Sequence, residues 1–505
     1  MNDDKCFDTV AKVWQKRIEI TPNSIFLAEN GHHYTYNQIN YLVQKQEKRL
    51  LSYGVKKGDI ISLQFELDVE GIVNILACIN LHLVINPLNP HFDMDEVKNL
   101  VYRFKPYLII TQQSERGRDT LFRLNNLTNY RIDTYEDCKV FIRNSHEICL
   151  AKEKNETNNP VVILNTSGTT GVPKGVVLTN KNVLSAEYAY NKAFNVNNHD
   201  MIAIASGMYH AIGFHHGLVS TIIAGSAMAI LRHYSIDNIV DLIKNEPITF
   251  IDSVSTVIYD ILFNATDLGK LNRLICGGDK IQPDLLKKAD KRGIPLYNCY
   301  GLTEAVPCSY TPQAYFEQHN HMTAAIKPME GIEMRIINHG KVITTSNIQG
   351  SIEVKGPVIF KEYLFNSEKT KSSFDDGWFI TGDNGHYNYD HLLVIDGRES
   401  DKIIRGGENI SSQAVEEKVK HCQNVKEVTI LGIPDVRLGQ RIGAFIVLKD
   451  KNQPFNKQTL IDELNNRSVD KKFWPEKIWI VNSIPRTANG KVKKYILKQM
   501  VEGEK

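Results

Sequence analysis

The sequence is poor in the features that mark a specialised surface or a membrane protein. Net charge is nearly absent: Lys and Arg total 60 against 58 Asp and Glu, leaving +2. That balance provides no electrostatic footprint for nucleic acid or an anionic membrane, so neither is expected as a partner. Paired cysteines are missing too. The 8 Cys are scattered, none in a CxxC pair, and free thiols in a reducing compartment are expected. The first ten residues, MNDDKCFDTV, are acidic and have no apolar centre, unlike a signal peptide. The longest apolar stretch, GLVSTIIAGSAMAIL (217–231), is broken by Ser and Thr. It falls short of the roughly 18 apolar residues a spanning helix needs. The expectation is a cytoplasmic protein without a stable membrane anchor. Repeats and low-complexity blocks are absent as well.

What is present is an ordinary globular composition, 42% apolar and 23% charged, over 505 residues. Chains of that length usually divide into domains. Short β-branched runs alternate with amphipathic ones through the first four hundred residues or so. ISLQF (61–65), LVINP (83–87), YLIIT (107–111), VVIL (161–164), ITFID (248–252) and LNRLI (271–275) read as strands. SIDNIVDLIKN (235–245) and QPDLLKKADKRG (282–293) read as helices. The alternation predicts an α/β fold with parallel strands. From about Gly350 the texture becomes β-rich, with SIEVKGPVIF, GWFITGDNGHYN and HLLVIDGR as successive strands. After Gly397 a compact α+β pattern follows. The expected division is a large domain over 1–397 and a small one over 398–505, a common domain size.

The segment LNTSGTTGVPKGV (164–176) concentrates small hydroxyl and glycine residues ahead of one lysine. It does not match the phosphate-loop pattern GxxxxGK[ST]. Lys174 leads into Val-Val-Leu, a strand pattern, where the phosphate-loop lysine opens a helix. The physics is shared nonetheless: glycines allow close backbone approach, successive N–H groups can form an anion nest, and Lys174 adds a charge. Further on come NCYGLTEA (298–305), GWFITGDNG (377–385), IDGRESDKIIRGGENIS (395–411) and IPRTANGKVKK (484–494).

In order and spacing these motifs resemble the adenylate-forming superfamily, which includes acyl- and aryl-CoA ligases, peptide-synthetase adenylation domains and firefly luciferase. The resemblance begins at YTYNQIN (34–40) and reaches Lys491. It is strongest toward stand-alone acid–CoA ligases. It implies an α/β large domain of parallel-sheet layers plus a small β-barrel-like part, followed by a small mobile α+β domain. It also implies two half-reactions at one site. A carboxylate attacks the α-phosphate of ATP to give an acyl-adenylate and pyrophosphate, and a thiol then displaces AMP.

By the same resemblance, Thr166, Ser167, Gly168, Thr169, Thr170, Gly171 and Lys174 would hold the departing phosphates. Thr303 would bind the α-phosphate and Glu304 would ligate Mg²⁺. Tyr300 would stack on adenine, with Gly277, Gly278 and Asp279 as the opposite wall, Gly301 in the same motif and Asn298 on the base edge. Asp383 would accept from the ribose hydroxyls, a task suited to a carboxylate, and Arg398 would reach ribose or phosphate. Lys491 would cross from the small domain to the reacting carboxylate. For the thiol step the small domain would rotate about Ser400 and Asp401, bringing Gly406, Gly407 and Glu408 to the thiol tunnel.

The segment IASGMYHAIGFHHGL (204–218) corresponds to the acyl pocket, with His210 beside the acyl group, and FIDSVSTVIYDIL (250–262) is its second wall. No Asp occurs between Met201 and Gly225, where amino-acid-activating relatives carry one. An Asn typical of siderophore aryl-acid relatives is missing as well. A fatty, alicyclic or aromatic acid is therefore expected. The thiol would belong to CoA, which the GGENIS motif favours, or to a separate carrier protein. The chain departs from the family pattern at Gly207 and Ser255, where relatives carry Pro, at Ser400, where Asp or Lys is usual, and at His82, Ile326 and Glu362, where glycine is common. A nucleotide-binding scaffold without turnover is the remaining reading.

Overall fold

A computed structural model describes residues 8–502 except 91, 93, 114–120, 123–125, 167–173, 279–280, 282, 321–322, 399–401, 406–407, 436–438, 468, 470 and 487–491. Four sheets organise these residues. The first has nine strands. In its middle, strands 296–302, 273–277, 250–253, 201–204, 227–230 and 25–29 run parallel in that spatial order. Antiparallel strands close both edges. The second sheet has eight strands. Strands 160–166, 84–87, 60–64 and 108–112 form its parallel part, and the hairpin partner 174–179 and the short strand 362–363 extend it antiparallel. One large apolar core draws on both sheets, and a second, separate cluster with Ile60, Val84, Ile109 and Ile163 covers the other face of the eight-stranded sheet.

The strands expected at 61–65, 83–87, 107–111, 161–164, 248–252 and 271–275 all form, within one or two residues. The helices form as well, Ile236–Asn245 behind a Ser235 N-cap and Pro283–Lys291. Strands buried on both faces need no alternation, and Leu108–Gln112 and Ile60–Gln64 are buried at every position, as parallel sheets covered by helices require. The β-rich part begins earlier than expected. Its first strand is Glu333–Asn338, not the run after Gly350. It is a six-stranded antiparallel sheet reaching Arg398. Glu333–Asn338 escapes a reading by pattern because its exposure is mixed along the strand, without a clean alternation.

The apolar stretch 217–231 is not one element. It passes through a π-helix (Ile212–Val219), a short helix (Ser220–Ala224) and a strand (Ala227–Ile230), with Gly225 at φ 69° ending the helix. Among the described residues no helix is long and apolar enough to cross a membrane, and no cysteine is disulfide-bonded.

The described residues between 402 and 501 have a sheet of their own, five strands with 439–448 against 425–435. Ile430, Ile442, Leu460 and Leu464 belong to one of its apolar clusters, and Phe445, Ile484 and Leu497 to a second. Neither cluster merges with the core of the two large sheets.

Candidate active site

Parallel strands end together, and the crevice beyond their carboxyl ends is where open α/β sheets place ligands. Strand 296–302 reaches that edge and doubles back as a hairpin. Leu302 pairs with Ala305, so Thr303 and Glu304 form a two-residue turn at the tip. Gly301 makes the hairpin possible. A Cβ there would lie 2.9 Å from the Ala305 carbonyl oxygen and 3.2 Å from Pro307 Cα, closer than a side chain allows against backbone. Gly301→Ala is expected to push the turn out of place, costing about 1–3 kcal/mol as overpacking does. Thermal unfolding would show the destabilisation, and pyrophosphate exchange would fall with it.

Glu304 is held from three directions. Its carbonyl accepts from Phe360 N at 2.9 Å, Ala305 bridges Ile359, and its carboxylate accepts from the Tyr363 hydroxyl at 2.7 Å. The segment 359–364 is in turn fixed by Asn182, whose amide donates to the Pro357 and Ile359 carbonyls, both at 2.8 Å. Asn182 stands at the start of helix Asn180–Ala193, in a capping box with Thr179. Burial and the Glu304 carboxylate push the Tyr363 hydroxyl well above its usual range, so it stays a donor.

The glycine- and hydroxyl-rich segment is the connection of a hairpin whose last pair is Thr166 with Lys174. The strand expected after Lys174 is present, Lys174–Thr179. Gly175 lets it approach Phe104, whose ring a Cβ would meet at 2.6 Å. Lys174 Nζ lies 5.4 Å from the centre of the Tyr363 ring, a cation–π distance. Partial burial and the neighbouring Lys369 lower its pKa, and the attraction of Glu304 opposes them. Lys174, Glu304 and Tyr363 thus form one group beside the Thr303–Glu304 turn.

On the other side of the turn, Tyr300 donates to Asp383 Oδ2 at 2.7 Å. Asp383 is buried, and its own N–H donates to the Thr381 hydroxyl at 3.0 Å. It pairs in register with Arg398 across two antiparallel strands. Burial and Asp383 raise the Tyr300 hydroxyl far above its ordinary value. Asn298, two residues back on the same face, donates to the Ala324 carbonyl at 2.9 Å. Gly277 closes strand 273–277 beside Cys299, and Gly278 follows at φ 81°. Tyr300 and Asp383 thus meet directly, while Asn298 and Gly277 stand on adjoining parallel strands.

His210 is half-buried at the head of the π-helix, its ring 4.6 Å from that of Tyr209. Glu408 begins strand 408–411, in register with Arg405. Ser167, Gly168, Thr169, Thr170, Gly171, Asp279, Ser400, Asp401, Gly406, Gly407 and Lys491 lie outside the described residues. Lys491 directly precedes Val492, which bridges Arg486.

Two features escaped the motifs. Tyr363 was visible only as part of FKEYL, and its contact with Glu304 spans 59 residues. The other is a buried cluster of ionisable side chains. Glu187 accepts from His215 Nδ1 at 3.1 Å and from His216 Nδ1 at 3.2 Å. His216 stacks on Tyr190 with ring centres 4.2 Å apart, and Tyr190 donates to Asp252 at 2.7 Å. The doublet HHG inside an apolar run was the available signal.

The comparison with known proteins identifies the chain as an adenylate-forming enzyme. The AMP-binding enzyme family matches residues 14–364, and the AMP-binding enzyme C-terminal domain matches 414–491. The chain belongs to the AMP-binding enzyme family. Among curated relatives, the medium-chain fatty-acid–CoA ligase of Escherichia coli is 27% identical over 97% of this chain and 90% of its own. The 2-succinylbenzoate–CoA ligase of Bacillus licheniformis is 28% identical over 96% and 98%. The fold of o-succinylbenzoate coenzyme A synthetase from Bacillus subtilis, solved with ATP and magnesium, superposes with a TM-score of 0.83 at 24% identity, covering 96% of this chain and 99% of that one.

Proposed function

We propose that this enzyme activates a carboxylic acid with ATP and Mg²⁺, releases pyrophosphate, and transfers the acyl group from the adenylate to the thiol of CoA. The observation that carries the reading is the meeting of Lys174, Glu304 and Tyr363 at one side of the Thr303–Glu304 turn, with Tyr300 and Asp383 at the other. Curated relatives named as CoA ligases support it.

In the first half-reaction a carboxylate oxygen attacks the α-phosphorus, and the bond to the bridging oxygen breaks toward pyrophosphate. Two anions must meet, so neutralising charge is the main problem. Lys174 supplies a fixed cation beside the 167–173 connection, which would cradle the departing phosphates. Glu304 is a hard oxygen donor next to the Thr303 hydroxyl, a set suited to Mg²⁺. When bound, the ion would screen the phosphate charge. Tyr363 aims the Glu304 carboxylate. Asp383 would exchange the Tyr300 hydroxyl for the ribose hydroxyls, and Asn298 and the 277–279 turn would border the base. Arg398 would reach ribose or phosphate.

In the second half-reaction the thiol sulfur attacks the acyl carbon and the carbon–oxygen bond to AMP breaks. We read residues 1–397 as the body and 398–505 as a unit that turns about Ser400 and Asp401. It would withdraw Lys491 and present Gly406, Gly407 and Glu408 to the thiol. His210 would border the acyl group.

Pyrophosphate exchange over fatty, alicyclic, aromatic and dicarboxylic acids tests the first step, and acyl-CoA formation the second. Exchange without acyl-CoA, together with loading of a holo-carrier protein, would replace CoA by a carrier thiol. Exchange with no acid would sink the reading. Lys491→Ala is expected to slow adenylate formation about ten- to a hundredfold, the loss of one charged hydrogen bond. It should leave thiolysis of a supplied acyl-adenylate intact. Equal losses in both half-reactions would contradict the two-arrangement scheme.

A further inference from the structure

The buried cluster around Glu187 has no role in the adenylation scheme, and its position invites one. Asp252 lies near the carboxyl end of strand 250–253, in register with Ile275, which is in register with Tyr297. Side chains alternate along a strand, so Cys299 shares that face while Asn298 and Tyr300 occupy the opposite one. Asp252 and Glu187 both act electrostatically on Cys299. The thickness of the sheet therefore lies between the Tyr300–Asp383 pair and the histidine cluster, at the same end of the strands. The cluster is also tied to His210, whose carbonyl accepts from Phe214 N at 2.9 Å at the start of the π-helix carrying both histidines.

Two aspects of the cluster do not suit a purely structural part. Burying ions costs several kcal/mol each, and well-packed apolar groups usually do the structural work as well or better. In addition, His215 is 1% exposed, yet its Nε2 has no hydrogen-bond partner among the described residues. A buried polar atom left unpaired costs about 1–3 kcal/mol. His216, by contrast, keeps 6% of its side chain accessible while Glu187 behind it keeps none. The ring nitrogens facing Glu187 are both Nδ1, so Nε2 is the nitrogen each ring turns away from that carboxylate. A π-helix is itself rare and recurs at functional sites.

Building on the acid-activating reading, we infer that His215 and His216 form the polar end of the acid site, and that the acid carries a hydroxyl group remote from its reacting carboxylate. A hydroxyl both donates and accepts, so it satisfies an imidazole nitrogen in either protonation state. The fixed carboxylates of Glu187 and Asp252 disfavour a second carboxylate there.

The test is pyrophosphate exchange with matched acids that differ by one hydroxyl, such as hydroxylated and plain benzoates and alkanoates, with dicarboxylates as a third arm. The wild type is expected to favour the hydroxylated member of at least one pair by tenfold or more in kcat/KM, and His215→Leu to abolish that preference, whatever its effect on the plain acid. His215→Gln, which keeps a hydrogen-bonding head, should retain part of it and covers the case in which the leucine variant does not fold. Preference for the plain acid in every pair, preference for the dicarboxylates, or an equal fall for both members in His215→Leu would each overturn the inference and leave acid activation standing. Exchange with no acid at all would overturn acid activation, and this inference with it.

Discussion

Glu304→Gln is expected to lower pyrophosphate exchange by about 10²–10³-fold, the scale on which single preorganised charge-stabilising groups act. The substitution keeps the shape of the side chain and an oxygen that can accept the Tyr363 hydroxyl, so the fold should survive. What disappears is the negative charge. With it goes a hard anionic oxygen for Mg²⁺, and the ion's hold on the phosphates should weaken, raising the Mg²⁺ concentration needed for half-maximal rate. The loss should also reach Lys174, because Glu304 counters the burial and the Lys369 repulsion that lower its pKa. The measurement is exchange rate against Mg²⁺ concentration for both proteins, with circular dichroism to confirm folding. A variant within threefold of wild type at all concentrations would overturn the proposal that Glu304 binds Mg²⁺.

Glu187→Leu should have the largest effect on stability. Removing one partner of a buried ion pair costs about 3–5 kcal/mol, because the other charge stays buried without compensation. Here the remaining charge is His216. Its own burial would lower its pKa, yet the attraction of Glu187 and Asp252 raises it above the usual 6.5. For Glu187, burial would raise the carboxyl, and the two histidines outweigh it and hold it below 4.5. The two shifts have opposite pH signatures. A depressed carboxyl contributes stability above 4.5 that is lost as pH falls through its folded value. A raised imidazole contributes stability below 6.5 that is lost as pH rises through its folded value. Asp252 acts the other way. Burial raises it to about 6, so its ionisation costs stability as pH climbs from 3.8 toward that value. The gap in melting temperature between wild type and Glu187→Leu should therefore be widest between about pH 4.5 and 6.5. A gap independent of pH would mean that Glu187 contributes packing and not charge.

The candidate site was legible in part because some of its members are contiguous. Thr303 and Glu304 are neighbours in one turn, and Lys174 closes one hairpin whose two strands are apparent from composition. Their chemistry depends on local spacing, which a linear pattern preserves. The β-rich part was read from Gly350, although it begins at Glu333, because the earlier strand lacks the alternation that marks a half-buried sheet. Tyr363 was passed over for a different reason. Nothing in FKEYL distinguishes a tyrosine that reaches Glu304 from one that fills a core.

The histidine cluster shows the limit most clearly. The pocket segment 204–218 was judged on whether it carries an aspartate, and an apolar acid followed from the lack of one. The acidic partners are Glu187, on a helix 28 residues before His215, and Asp252, on a strand 62 residues after Tyr190. By itself, the sequence determined the reaction class, since that rests on short motifs whose order survives in the linear chain. Only the tertiary structure decided what surrounds the paired histidines. Which side chains share a buried volume depends on how helix 180–193, the π-helix and strand 250–253 pack, and packing joins residues without regard to their separation along the chain.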